Sequence, residues 1–182
     1  MKKRIFIGSF IKIIGLEEKY NDVKKSFDRY IIGRWTPLSN FHITYKFIGD
    51  VNEEELRNIH KILKNELDRE INTEIQLKGL NSFPNIYNPK ILFIDVIDKE
   101  NFLTECSNLI EEKLSLLGYP KSDKKFIPHI TLMRIKKYRK NKFIQLMRRF
   151  KDFEFGIQKQ VEINIIESIL KPDGAVYRKV SL

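Results

Sequence analysis

The sequence predicts one α+β domain, and this prediction rests on length, element order and internal similarity. The 182 residues are enough for one substantial core, because domains most often contain about 100–150 residues. Strand-like and helix-like segments mix without the strict alternation of a parallel α/β sheet. A histidine-bearing strand followed by a helix occurs in each half, which suggests a loose internal duplication. No linker divides residues 1–182, so we expect a single domain.

The first predicted elements are a strand, a helix and a second strand. Residues 4–11 are rich in β-branched and aromatic side chains, which is typical of a strand. Residues 16–32 are lysine-rich and carry apolar side chains at helical spacing; these are Tyr20, Val23, Phe27, Tyr30 and Ile31. Residues 41–48 again have strand composition and end at Gly49 and Asp50.

The next helix has the clearest start in the chain. Asn52 can cap its first turn, and Glu55 three residues later completes a capping-box pattern. One apolar face is predicted to be buried; it consists of Leu56, Ile59, Ile62, Leu63 and Leu67. His60 lies off the centre of that face, beside Arg57 and Lys61, and we predict a solvated surface histidine.

The second half repeats the mixture of strands and helices. Residues 73–80 and 91–97 are predicted strands, and the turn-rich NSFPNIYNPK joins them. An amphipathic helix follows over residues 99–117, with Gly118 as its left-handed cap. The remaining predicted elements are a strand at 129–135, a basic helix at 141–150, and strands at 161–170 and 175–180 joined by a turn at 172–174.

The charge and the apolar content of the sequence indicate which kinds of partner and which cellular compartment to expect. The 34 basic and 24 acidic residues give a net charge of +10 and a pI near 9.6. This excess favours nucleic acid or another phosphate ester, and a solvated lysine-rich surface without a partner is the alternative. Lys12 interrupts the apolar run near the N-terminus, which does not fit a secretory signal. No run approaches the roughly 20 apolar residues of a membrane span, so we expect a cytoplasmic protein that binds no membrane.

The single cysteine, Cys106, limits the possible covalent and metal chemistry. It excludes an internal disulfide and a zinc site built on cysteine pairs. Because Cys106 follows the apolar periodicity of the helix at 99–117, we predict a buried structural thiol.

Two of the three histidines stand in the same tripeptide, His-Ile-Thr. The surrounding segments are FHITYKFIG and, much later, PHITLMR. Because side chains alternate faces along a strand, His42 shares a face with Thr44, and His129 shares one with Thr131. Two such strands, brought face to face, would surround one tetrahedral group with two imidazoles and two hydroxyls.

This set of groups fits phosphodiester cleavage without a metal. A base deprotonates the nucleophile, an acid protonates the leaving oxygen, and hydroxyl donors hold the non-bridging oxygens. A single His-x-Thr tripeptide is more often structural, but two matched copies favour a site. A metal site is a weaker alternative, because two histidines lack the third ligand of an open zinc site and neither strand contains Asp or Glu. These residues therefore favour a site without a metal.

With these motifs in context, the chain resembles the 2H phosphoesterases, and within them the RNA 2′,3′-cyclic phosphodiesterases, also called 2′-5′ RNA ligase-like proteins. The resemblance covers nearly the whole chain. RIFIGSF is similar to the family's first strand, and RWTPLSNFHITYKFIGDV to its first motif with the preceding Trp35. GLNSFPNIYNPKILFIDV resembles the segment between the lobes, FIPHITLMRIK the second motif, and ESILKPDGAVY the C-terminal hairpin.

The resemblance implies a bilobal, pseudo-two-fold α+β fold. Each lobe is an antiparallel sheet flanked by helices, and the active site lies in the cleft between the lobes. It also implies hydrolysis of RNA 2′,3′-cyclic phosphate ends, or of small nucleoside cyclic phosphates, to 2′-phosphates without a metal or nucleotide cofactor. We expect the enzyme to be a monomer.

Four residues take the family's central roles at matching positions. His42 resembles the acid that protonates the departing 3′ oxygen. His129 resembles the base that activates water. Thr44 and Thr131 would bind the phosphoryl oxygens.

Two further residues match positions around the second motif. Phe126 matches an aromatic residue before the motif and would contact the terminal nucleotide. Arg134 matches the arginine that closes the motif and would add positive charge. It stands an odd number of residues after His129, however, so a regular strand would turn it to the opposite face. Either the strand is bulged or ends there, or the arginine reaches around an edge.

Two residues of the first motif also need comment. Tyr45 replaces the aliphatic residue usual in the family, but its parity directs it away from the histidine face, so we expect little effect. Lys46 shares the parity of His42, and it either lines the cleft or is an exposed edge lysine.

Two other functions remain open at this point. An RNA-binding module would use the histidines only to contact phosphate, and turnover of a nucleoside 2′,3′-cyclic phosphate separates it from a hydrolase. Joining of tRNA halves through a 2′-5′ bond would run the same chemistry in reverse. ATP-driven ligation is disfavoured, because the chain lacks a Gly-x-x-x-x-Gly-Lys-Ser/Thr loop.

Overall fold

The computed structural model describes residues 2–172 and 174–181, and within them nine strands and four α-helices. In chain order the elements are β1 (Lys3–Phe10), α1 (Leu16–Phe27), β2 (Ile31–Trp35), β3 (His42–Val51), α2 (Glu53–Leu63), β4 (Glu70–Phe83), β5 (Ile91–Asp98), α3 (Phe102–Ser115), β6 (His129–Tyr138), α4 (Lys140–Arg149), β7 (Glu154–Glu162), β8 (Asn164–Lys171) and β9 (Gly174–Lys179). A short 3₁₀ helix, Leu38–Asn40, precedes β3.

The strands form two antiparallel sheets, one in each lobe. The first sheet has the order β3-β1-β8-β9 and the second the order β2-β6-β5-β4-β7. α3 packs against β3 and α2, whereas α1 packs against α4 and β7. His42 begins β3 in the first sheet, and His129 begins β6 in the second. The predicted bilobal α+β fold, with one histidine motif in each lobe, is confirmed.

The first sheet is curled so strongly that its two edges approach each other. Asn40 lies just before the edge strand β3, and its side chain hydrogen-bonds the backbone of β9, the opposite edge. Apolar side chains from both sheets and all four helices form one continuous core.

Two strands of the second sheet were not predicted from the sequence, and both are its edges. The helix predicted over 16–32 ends at Phe27, and Ile31 already belongs to β2, which pairs with β6. The strand predicted over 161–170 is divided, since β7 ends at Glu162 and β8 begins at Asn164. An edge strand lacks a long apolar run, so pairing with its neighbour decides its structure. In the predicted turn at 172–174, Asp173 lies outside the described residues.

The helix ends follow the sequence signals closely. Asn52 Oδ1 accepts a hydrogen bond from the Glu55 amide at 2.9 Å, and Glu55 Oε2 accepts one from the Asn52 amide at 2.7 Å, which confirms the capping box. Gly118 adopts a left-handed φ of 87°, as its predicted role beyond the helix requires. No helix in the described part of the chain is long and apolar enough to cross a membrane.

Two predictions of burial were wrong in degree. His60 is partly buried on α2 rather than fully solvated. Cys106 is likewise partly buried, although it packs against the core. Burial, together with the nearby carboxylate of Asp98, raises the pKa of the Cys106 thiol to about 11. The thiol is therefore protonated at neutral pH, and this favours a structural role.

Candidate active site

The two motif histidines are held in the same way, one in each lobe. His42 Nδ1–H donates to the carbonyl oxygen of Asn40 at 2.6 Å, and His129 Nδ1–H donates to the carbonyl oxygen of Ile127 at 2.7 Å. A carbonyl oxygen can only accept, so Nδ1 must carry the proton on each ring. β3 and β6 contact each other, which brings the two motifs to one place. In both rings Nε2 remains for exchange of a proton with a substrate.

Aromatic side chains surround both imidazoles. The His42 ring lies 4.8 Å from the ring centroids of Phe6 and Tyr177. The His129 ring lies 5.0 Å from that of Phe83 and 5.1 Å from that of Phe93. These apolar faces remove water from the rings, and burial lowers the pKa of both histidines.

The electrostatic surroundings of the two histidines differ beyond burial. The hydrogen bond to Asn40 raises the pKa of His42, and the charge of His129 lowers it. For His129, the hydrogen bond to Ile127 and the carboxylate of Asp95 both raise the pKa. Asp95 lies opposite His129 in the register of β5 and β6. Asp95 was not predicted as a site residue, although an acid within the apolar ILFIDVID was a usable signal.

Burial alternates along both motif strands. In β3, His42, Thr44 and Lys46 are half-buried, whereas Ile43 and Tyr45 are buried. In β6, the half-buried His129 and Thr131 alternate with the buried Ile130 and Leu132. The histidine and the threonine of each motif therefore share the face that is turned from the core.

A bulge in β6 places Arg134 on the histidine face. Thr131 pairs with Phe93 and Met133 pairs with Leu92, so Leu132 is an extra residue on β6. Leu132 and Met133 are both buried, and Arg134 is exposed. Of the three geometries that the sequence left open, the structure shows the bulged strand.

A cleft of about 1660 Å³ opens beside the motifs, between β3, α3 and the segment 120–127. Among the candidate residues, Thr44, Lys46, Phe126 and His129 line it, whereas His42, Thr131 and Arg134 are not among its lining residues. Beyond Lys46 and Glu111, the cleft is lined by four lysines and two acidic residues, namely Lys90, Lys121, Lys124, Lys125, Glu112 and Asp123, so basic side chains are in excess.

Phe126 and Tyr45 support each other at the wall of this cleft. Their rings stack with centroids 6.0 Å apart, and the Tyr45 hydroxyl lies 2.9 Å from Ser9 Oγ. Phe126 is half-buried. Tyr45 is buried on the face opposite His42, as its parity predicts, and it packs against a candidate substrate contact; its small effect stays a prediction.

Lys46 lines the cleft, but its charge is already neutralised. Its Nζ lies 2.6 Å from Glu111 Oε2 and also donates to the carbonyl oxygen of Pro120. Glu111 Oε2 accepts a further hydrogen bond from the Ser122 amide at 3.2 Å. Of the two positions that the sequence left open for Lys46, the structure shows the one in the cleft, since its side chain is 11% exposed. Lys46 connects β3 to the segment that leads into the second motif.

Asn40 is the clearest site residue that sequence reasoning missed. It is 5% exposed, its Nδ2 donates to the Ala175 carbonyl oxygen at 2.6 Å, and its Oδ1 accepts from the Tyr177 amide at 3.2 Å. Its own carbonyl oxygen holds the His42 ring. The side chain thus fixes the backbone that orients His42. Only knowledge of the neighbouring β9 could have identified this role.

Comparison with known proteins gives relatives along nearly the whole chain. A family model described as the AKAP7 2′5′ RNA ligase-like domain matches residues 16–181. The RNA 2′,3′-cyclic phosphodiesterase of Aquifex aeolicus is 33% identical over 178 residues, which cover 97% of this chain and 94% of the relative. The protein of the same name from Methanocaldococcus jannaschii is 35% identical over 143 residues, 78% of each chain.

Solved structures share the fold at lower identity. TT0787 of Thermus thermophilus superposes with a TM-score of 0.75 at 24% identity, covering 98% of this chain and 95% of that one. E. coli LigT in complex with 3′-AMP superposes with a TM-score of 0.73 at 17% identity, covering 100% and 97%.

Proposed function

The chain belongs to the 2′-5′ RNA ligase-like family of the 2H phosphoesterases, and from this premise we propose that it hydrolyses RNA 2′,3′-cyclic phosphate ends to 2′-phosphates. The observation that carries the proposal is the matched anchoring of His42 and His129 through Nδ1. This anchoring leaves two Nε2 atoms, one from each lobe, for proton transfer. Relatives that are named RNA 2′,3′-cyclic phosphodiesterases support the reaction class.

The proposed reaction is an in-line displacement at phosphorus. His129 Nε2 takes a proton from water, and the water oxygen bonds to phosphorus while the bond from phosphorus to the 3′ oxygen breaks. His42 Nε2 gives its proton to that 3′ oxygen. The products are a 2′-phosphate and a free 3′-hydroxyl. Thr44 and Thr131 donate hydrogen bonds to the non-bridging oxygens, where negative charge accumulates, and Arg134 adds positive charge on the same face.

The electrostatic difference between the histidines supports these roles. A base becomes cationic as it takes the proton, and the carboxylate of Asp95 stabilises a cationic His129. Burial lowers the pKa of both histidines, but the charge of His129 lowers the pKa of His42 further, and an acid with a lower pKa releases its proton more readily. The difference in neighbouring charges therefore favours His42 as the acid and His129 as the base.

The substrate is proposed to be an RNA end, or a small nucleoside cyclic phosphate, bound by a monomer. The excess of lysines over acidic residues in the cleft and the 3′-AMP complex of the structurally similar LigT support a nucleotide ligand. Phe126 would contact the terminal nucleotide from the wall of the cleft.

Product analysis on RNA ending in a 2′,3′-cyclic phosphate, with EDTA present, tests the proposal. We expect 2′-phosphate ends at an undiminished rate, because no cluster of three or more potential metal ligands occurs among residues 2–172 and 174–181. A 3′-phosphate product would overturn the proposed bond cleavage. Loss of activity with EDTA and rescue by a divalent ion would overturn the metal-free mechanism. Binding without turnover would identify an RNA-binding module.

A further inference from the structure

Two arginines stand directly opposite each other on the second sheet. Arg34 of β2 and Arg134 of β6 are partners in the antiparallel register, and both are exposed. The neighbouring pair, Trp35 and Met133, lies on the other face, where Trp35 packs against Tyr20 of α1. The two guanidinium groups therefore share the face that is turned away from the helices.

This face is the one that carries the second motif. The bulge at Leu132 returns Arg134 to the side of His129 and Thr131. Two positions along one face of a strand are about 6.6 Å apart, so Arg134 lies one such step beyond Thr131. Because Arg34 is the partner of Arg134, it lies one strand further from the reacting centre.

Arg34 also reaches the other lobe. Its Nη1 lies 3.8 Å from the position that a β-carbon would occupy at Gly174, the first residue of β9. The same strand places Tyr177 against His42. The guanidinium of Arg34 therefore extends across the space between the sheets, close to the wall that holds the first motif.

This arrangement is unfavourable without an anion. Like charges directly opposite each other destabilise a strand pair. Several other basic side chains have carboxylate partners, among them Lys46 with Glu111 and Arg178 with Glu167. In the described residues, 2–172 and 174–181, no carboxylate forms an ion pair with Arg34 or Arg134. A phosphate between the two guanidinium groups would turn the repulsion into two charge-assisted contacts.

We propose that Arg34 and Arg134 form a second anion site, which binds the phosphate on the 5′ oxygen of the reacting nucleotide. The inference rests on the proposed function. The cyclic phosphate already occupies the 2′ and 3′ oxygens of the terminal ribose, so the 5′ oxygen is the remaining position for a phosphate on that ribose. In RNA this group is the internucleotide phosphodiester. The second anion site therefore makes the enzyme prefer a polynucleotide end to a free nucleoside cyclic phosphate.

Three substrates, two variants of Arg34 and one control variant test the second anion site. The substrates are a nucleoside 2′,3′-cyclic phosphate, the same compound with a 5′-phosphate, and a dinucleotide with a cyclic phosphate end. Arg34→Gln should lower kcat/KM about 10- to 100-fold for the second and third substrates, mainly through KM, as expected for a lost charge-assisted hydrogen bond. For the first substrate the change should stay within about twofold, the range of an exposed charge.

The matched control is Arg57→Gln, which removes the same charge from an exposed position on α2 where Arg57 pairs with Glu53. It should affect all three substrates alike. Arg34→Lys keeps the charge but loses the planar fork of donors, so its loss should be intermediate. The melting temperature of Arg34→Gln should not fall, because the substitution relieves repulsion.

Three outcomes would overturn the second anion site. Equal losses on all substrates would assign Arg34 to the reacting phosphate. A loss confined to the dinucleotide would assign it to the neighbouring nucleoside, and no loss would remove it from the site. Absence of turnover by the wild type would overturn the proposed function instead. Titration of the wild type and Arg34→Gln with a nucleoside 5′-phosphate would then decide the inference, since only the wild type should bind it measurably tighter than the nucleoside.

Discussion

At the scale of single residues, the sequence predicted most of the candidate catalytic side chains. The repeated His-Ile-Thr predicted His42, Thr44, His129 and Thr131, because the pattern depends only on strand parity. The carbonyl groups that fix the imidazoles could not be predicted, since they depend on the path of the backbone before each strand. Asp95 was missed for the same reason, because its effect on His129 requires the register of β5 and β6.

The pH dependence of kcat/KM should be bell-shaped. Activity falls in acid because the base is protonated, and it falls as pH rises because the acid has lost its proton. Burial lowers the pKa of both histidines, so both limbs should lie below the unperturbed value of about 6.5. The apparent values belong to the pair rather than to either residue. A limb above this value would contradict the effect of burial.

The variant Asp95→Asn tests whether the Asp95 carboxylate affects the pH profile. Asp95 raises the pKa of His129, so its neutralisation should move one limb of the profile further into the acidic range. Asp50→Asn, at an exposed position of β3, should leave the profile unchanged.

Substitution of the histidines separates their roles. His42→Ala and His129→Ala should each lower kcat/KM by about 10²–10⁴-fold, the contribution typical of a general acid or base. The double variant should lose much less than the product of the single losses, because the two act as a unit. His60→Ala is the matched control and should keep the wild-type rate.

A substrate with an activated 3′ leaving group then identifies the acid. Such a group departs without protonation, so it should restore turnover in His42→Ala and not in His129→Ala. Restoration in His129→Ala instead would reverse the roles. Full activity of either single variant on the natural substrate would contradict the proposed active site.

At the scale of elements, the sequence predicted those helices and strands whose ends are determined by neighbouring residues. It did not predict the strands whose structure depends on pairing with a distant strand. The capping box at Asn52 and the starts of β3 and β6 were predicted from adjacent residues. The edge strands β2 and β7 were not, because their pairing partners are distant in sequence. The bulge in β6 could not be predicted, because the same residues are compatible with Arg134 on either face of the strand.

The closure of the first sheet by Asn40 leads to a prediction at this scale. Asn40→Ala removes two hydrogen bonds to β9 and should destabilise the fold by about 1–3 kcal/mol, because it leaves buried backbone groups unpaired. It should also lower kcat and shift the pH profile, because the Asn40 carbonyl then orients His42 less well. Asn58→Ala, at an exposed position of α2, is the control. Destabilisation with an unchanged kcat and pH profile would show that Asn40 is only structural.

At the scale of the whole molecule, the resemblance and the core pattern were sufficient for the bilobal fold. The positions of the basic residues that give the +10 charge could not be predicted from the sequence. The structure places four lysines along the cleft, in excess over the acidic residues there. Charge in the sequence alone could not distinguish this arrangement from an evenly basic surface.

Salt should therefore affect long and short substrates differently. If the cleft lysines follow an RNA backbone, affinity for oligonucleotides should fall steeply as salt concentration rises. Binding releases counterions from the RNA, and this release is less favourable at high salt. Turnover of a mononucleotide should be much less sensitive. The measurement is the slope of log affinity, or of log kcat/KM, against log salt concentration. Equal slopes for both substrates would make the charge a general surface property.

The ion pair between Lys46 and Glu111 has a consequence for how substrate is selected. It ties β3 of one lobe to the segment that ends at Ile127, whose carbonyl oxygen holds the histidine of the other lobe. Spreading the cleft along this wall would break the hydrogen bonds that join Lys46 to the Pro120 carbonyl oxygen and Glu111 to the Ser122 amide, and the side chains of this pair are only 11% and 14% exposed. We therefore expect the two half-sites to be formed before substrate binds, rather than assembled by closure of the cleft. Little binding energy would then be spent on assembling the site, and ligands would be selected by how well they fit a cleft that already has its final shape.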